Sequence, residues 1–184
     1  MAWSTALTAV SNAALTAAQW NASVRDNLAE TAPAKATATG RIFVTTGANA
    51  IAERIPSIGR VTGGGQGTTS TSFVDLTTVG PNVNSLTTGT SAIFAVSSFC
   101  LNTQAANGCY MGVAVSSAST IAADVNRSLR VMSGAASENS KGSYVGMFGG
   151  TLTAGSNTFS AKYAALFNTG TATFDERELL VIPL

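Results

Sequence analysis

The chain has 184 residues, enough for one domain of ordinary size or a small domain with an extension. It has no His, only 10% charged residues and a net charge of +1, so it offers no electrostatic footprint for nucleic acid or an anionic membrane. The missing imidazole removes the commonest general acid–base group, and no catalytic residue is expected.

Hydrophobic residues reach 45%, sufficient for a core. No stretch approaches the roughly 18 apolar residues of a membrane span, so no membrane insertion is expected. The first residues lack a basic segment followed by an apolar one. The expectation is therefore no signal peptide and synthesis in a bacterial cytoplasm.

Residues 16–30 read TAAQWNASVRDNLAE. Thr16 and Gln19 fit a capping box, in which each side chain satisfies an orphan backbone donor at a helix start. Trp20, Val24 and Leu28 then recur at helical spacing, and Pro33 stops the run. The spacing predicts a helix over about 16–30. A helix this short with one narrow apolar stripe is marginal alone and must dock. No apolar helix elsewhere in the chain could receive it, which favours copies of itself or another protein.

After an Ala/Thr-rich stretch, residues 41–55 read as a β-hairpin. Arg41 to Thr46 is rich in β-formers, Gly47-Ala48-Asn49 supplies the turn, and Pro56 ends the return strand. Such a hairpin is not stable by itself in water. Residues 1–62 are thus expected to form an attachment and self-association region. Trp3, Trp20, Val24, Leu28, Ile42 and Phe43 are its candidate packing residues.

Gly63-Gly64-Gly65-Gln66-Gly67 and the following Ser/Thr run are expected to be a linker over 63–72. The Gly run lacks the Lys-Ser/Thr and helix that a phosphate-binding loop requires. Strands are then predicted at 73–79, 83–87, 92–101, 110–115, 129–132, 143–148, 157–167 and 174–182. Eight strands with turn signals between them and no periodic helix predict an antiparallel β-sandwich, jelly-roll-like, over 73–184. The fold class is mainly β, with a short helix and a hairpin ahead of the sandwich. The closing LLVIPL is continuously apolar and predicts a strand buried on both faces, with Leu180 and Ile182 as further packing candidates.

Three chemical possibilities are weighed. Asp175, Glu176 and Glu178 are grouped, but Arg177 sits between them, and a solvated strand edge is the simpler reading. Cys100 and Cys109 flank a turn and could lie opposite one another in a hairpin. Cytoplasmic synthesis favours free thiols. With no third ligand beside them, neither a metal nor any other cofactor is expected. No Ser lies three residues before Lys35, Lys141 or Lys162, so the Ser-x-x-Lys nucleophile is missing. Tyr110, Tyr144 and Tyr163 are better read as sheet-packing residues than as sugar platforms.

Two segments carry a resemblance. Residues 15–55 contain W-N-x-x-V-R-D-N-L at Trp20 to Leu28, and a G-x6-G-A-N-A hairpin at Gly40 to Ala50. They resemble the N-terminal segment of minor tail and tail-fibre-like proteins of phages that infect actinobacteria. Residues 155–184, which close on V-I-P-L, are similar to the end of trimeric jelly-roll domains in such virion proteins. The resemblance covers somewhat under half of the chain. It implies a homotrimer located in the virion, with no catalytic residues. Its partners would be other virion proteins, met through the N-terminal region, and host cell-envelope glycans. The alternatives are a capsid decoration protein that stabilises the head shell, a carbohydrate-binding β-sandwich and a tail-tip glycan hydrolase.

Overall fold

Apolar and polar residues alternate along most of residues 82–183, and the chain folds there into long antiparallel strands. A computed structural model describes residues 7–8, 12–29 and 31–184, as two units that divide between Ile55 and Pro56.

In the first unit, α1 (Ala17–Trp20), a π-helical turn (Asn21–Arg25) and α2 (Asp26–Ala29) form one helical run. The capping box is formed. Thr16 Oγ1 accepts from the Gln19 amide at 3.2 Å, and the Thr16 amide donates to Gln19 Oε1 at 3.0 Å. The wider π turn rotates the residues beyond it out of the 3.6-residue register assumed for the stripe. A further turn, α3 (Ala32–Lys35), holds Pro33 near its start, where a missing N–H is tolerated. β1 (Ile42–Gly47) and β2 (Ala50–Arg54) pair antiparallel as a two-stranded ribbon. Asn49 takes the left-handed backbone at its turn, with φ 55.

The second unit is an antiparallel β-sandwich. Its strands are β3 (Ser57–Val61), β4 (Gln66–Thr68), β5 (Asn82–Thr88), β6 (Ala92–Asn102), β7 (Asn107–Ser117), β8 (Ser128–Ser133), β9 (Ser140–Phe148), β10 (Gly155–Ala165) and β11 (Ala172–Pro183). One sheet runs β5-β10-β7-β8. The other runs β3-β11-β6-β9, with β4 also paired to β11. Phe94, Val96, Phe174, Leu179 and Val181 point inward from one sheet, and Met111, Val113, Phe159 and Tyr163 from the other, all essentially without exposure. Phe148 bridges the layers, with its ring 5.0 Å from that of Phe94 and 5.9 Å from that of Phe159.

Four sequence expectations change. Residues 63–72 are not a linker between domains. β3 pairs with Arg177 to Val181 and β4 with Ala172 to Phe174, so the glycines form a turn between two strands laid along the same neighbour. The turn passes β11 where that strand bulges between Asp175 and Glu178. Residues 57–62 therefore belong to the sandwich. Residues 73–79 form no strand and meet β10 through one backbone bridge, Val74 to Tyr163, and the Asp75–Lys162 ion pair. β11 is central, between β3 and β6, but it is fully buried on one face only: Leu180 and Ile182 are half-buried. Lastly, the strand predicted at 110–115 begins earlier, at Asn107, and runs to Ser117.

Candidate assembly surfaces

The first unit has almost nothing inside it. Among its described residues only Asn27 is buried, at 6% exposure, and its side-chain amide donates to the Ser23 carbonyl at 3.0 Å. Trp20 is 56% exposed, Leu28 60% and Phe43 40%, while Val24 and Ile42 are half-buried. Trp3 lies outside the described residues. The polar contacts that do organise the unit lie at its surface. Glu53 Oε2 accepts from the Thr37 hydroxyl at 2.8 Å, and Glu53 Oε1 accepts from the Thr37 amide. Arg41 stands 3.9 Å away from the same carboxylate. The Thr37 hydroxyl, with Arg41 adding to it, holds the Glu53 carboxyl below the usual carboxylate range.

The second surface is the outer face of the β3-β11-β6-β9 sheet. Register places Ile58, Leu180, Ala95 and Val145 in one row across it. Ile182, Ile93 and Met147 form the next row. Ile58, Val145 and Met147 each expose more than half of their surface. Beyond these rows the face turns polar: Arg60 pairs with Glu178 at 2.8 Å, next to Ser97. Leu180 and Ile182 were singled out from sequence, but their partners Ile58, Ile93, Val145 and Met147 were not. The signal was present: in AIFAV, residues 92–96, every position is apolar, so both faces of β6 are apolar.

The acidic group does not sit on a strand edge, because β11 is central. Glu176 takes a left-handed backbone, with φ 45, and the bulge around it turns Arg177 inward to 1% exposure. Arg177 Nη1 donates to the carbonyls of Thr78 at 3.3 Å and Gly80 at 3.4 Å, and its guanidinium lies 5.4 Å from the Tyr163 ring centre. Tyr163 donates to the Gly80 carbonyl at 2.7 Å. Burial pushes the Tyr163 phenol up, against the opposing effect of Arg177. The cation thus tethers the segment before β5 to the core. Tyr163 is fully buried, and Tyr110 and Tyr144 are half-buried.

The two thiols are not cross-strand neighbours, since β6 and β7 lie in opposite sheets. Both are free, buried and directed into the core. Cys109 Sγ donates to the Leu101 carbonyl at 3.2 Å. A hydrogen bond shared with Cys109, reinforced by burial, pushes the Cys100 thiol up, so it stays protonated and unreactive. Among the described residues, no group of three or more Cys, Asp or Glu is placed to hold a metal ion. No known protein-family model matches the chain, and no curated protein matches it.

Proposed function

We propose that this chain is a non-enzymatic structural protein of a bacteriophage particle. In this reading it is a homotrimer that attaches through its first unit and projects the sandwich outward. It serves as a minor tail or fibre protein that contributes to adsorption on the host surface. The observation that carries the reading is the first unit: a helical run and a ribbon whose only buried described residue is an Asn. Neither element is stable alone in water. Trp20, Leu28 and Phe43 need a covering surface that the described part of their own unit does not supply. The resemblance of residues 15–55 to actinophage tail proteins supplies the virion, and that of residues 155–184 to trimeric jelly-roll domains supplies the three-fold count.

The outer sheet face supports self-association but is too small to carry it alone. Four strands about 4.8 Å apart and two side-chain rows about 6.8 Å apart span only roughly 260 Å2. A stable interface needs about 800 Å2 per partner. Both units would therefore contribute to the trimer.

Light scattering on the purified protein should give three times the chain mass of 18.6 kDa. The Trp20→Ala/Leu28→Ala double variant should give the single-chain mass while its sandwich still unfolds cooperatively. A wild-type protein that stays at the single-chain mass at micromolar concentration would refute the trimer. Antibody-labelled virions then fix the position. A few to a few tens of copies on the tail support the fibre reading, and hundreds on the head support a decoration protein.

A further inference from the structure

The outer face of the β5-β10-β7-β8 sheet carries a built depression of about 470 Å3. Its floor is Ala114 of β7 and Lys162 of β10. One wall is Ser72 to Asp75, the other Ala122 and Ala123. Both walls are fixed by backbone pairs. Val74 exchanges two hydrogen bonds with Tyr163, each 2.9 Å, and Ile121 exchanges bonds of 2.8 and 2.9 Å with Val115. Gly112 lets the walls settle onto the sheet. A Cβ there would stand 2.9 Å from the Phe73 ring and 3.3 Å from the Ala123 methyl.

We propose that this depression binds a neutral sugar ring. Its volume falls within the roughly 300–1,000 Å3 of small-molecule sites. The lining is amphipathic in one direction. Small apolar side chains and the Phe73 ring form most of it, and a single ion pair marks one side. Lys162 Nζ bonds both Asp75 oxygens, at 2.7 and 2.6 Å. An ammonium has three donors and a carboxylate about four acceptor positions, so each group keeps capacity for a ligand hydroxyl. Adjacent hydroxyls of a pyranose can donate to Asp75 and accept from Lys162, while its C–H face lies on Ala114 and Ala123. One positive and one negative charge cancel, which disfavours phosphorylated or strongly acidic ligands.

The inference deepens the surface-contact part of the proposed function and rests on it only for its biological use. Sugar binding by a monomer, or a trimer without sugar binding, would separate the two. The test is ligand-observed NMR on the full chain with the methyl glycosides of glucose, mannose and galactose, and with glucose 6-phosphate for comparison. At least one glycoside should bind saturably, and Asp75→Asn should weaken it tenfold or more. Ala122→Trp, at an exposed wall position, should do the same by filling the space. Failure of all three glycosides to bind overturns the proposal. So does binding that survives in either folded variant, or glucose 6-phosphate that binds as tightly as the best glycoside.

Discussion

The two units of this chain are both rich in small residues, Ala and Thr in the first and Gly, Ser and Thr in the second, and they reach opposite states. The sandwich closes its apolar residues between two sheets, with Phe94, Phe159, Phe174, Leu179 and Val181 at zero exposure. The first unit turns its largest described side chains, Trp20, Leu28 and Phe43, outward. The difference is one of layers. A sheet face is buried by a second sheet, whereas one helical run and one ribbon give no second layer within the unit. No described residue of the first unit supplies that second layer, and under the proposed function other copies of the chain would.

The sharpest break of this comparison is in the sandwich core. Phe94 stacks on Phe148 and also meets Tyr144, and Phe94→Ala should destabilise the sandwich by about 3–5 kcal/mol. That is a large part of a domain's whole stability, and calorimetry should show a collapsed or absent transition. Trp20→Ala, which removes more atoms, should leave the sandwich transition within about 0.5 kcal/mol of wild type, as surface substitutions do. Its effect should appear only in the mass by light scattering. Equal thermal effects of the two changes would mean that the units share one core.

Next in size is Arg177, a cation in the most apolar part of the chain. Arg177→Ala leaves a cavity and frees the Thr78 carbonyl, while the Gly80 carbonyl keeps Tyr163, and should cost about 3 kcal/mol. Arg177→Met keeps the volume and removes a buried charge whose Nη2 has no partner. It should change stability by less than about 1 kcal/mol. The segment at Thr78 and Gly80 should then lose amide protection in hydrogen exchange while β11 keeps its own. If Met proves as damaging as Ala, the charge itself holds the loop.

The sandwich was legible in the sequence because its strands alternate, so residues 92–102, 140–148 and 172–183 could be placed within a few positions. Long-range pairing was not legible. The glycines at 63–65 have the composition of a linker, and only the pairing of β3 and β4 with β11 makes them a turn. Arg177 read as an exposed charge among acids because one left-handed residue, Glu176, shifts the alternation by one step. The two thiols looked like hairpin partners because a short connection does not say whether a chain stays in its sheet or crosses to the other. The capping box at Thr16 and Gln19 was legible because it is local, and so was the turn at Asn49.

The smallest predicted effect concerns the first unit and acid. Glu53 is held in its ionised form by Thr37, with Arg41 alongside, so its folded pKa is below the unfolded one. A depressed carboxylate contributes stability above its unfolded pKa of about 4.3, and that contribution is lost as pH falls through the folded value. Between pH 7 and 5 the β1–β2 ribbon should therefore be unaffected. As pH falls further, through the depressed folded value, protonation removes an acceptor from the Thr37 amide and hydroxyl, and the Thr37 amide resonance should shift and exchange faster. Glu53→Gln keeps a carbonyl acceptor but no charge, and should abolish the acid pH dependence while weakening the contact only slightly. A pH-dependent Thr37 resonance that persists in Glu53→Gln would assign the titration to another carboxylate. The sandwich core, whose strands close on apolar side chains rather than on a carboxylate, should pass through the same range unchanged.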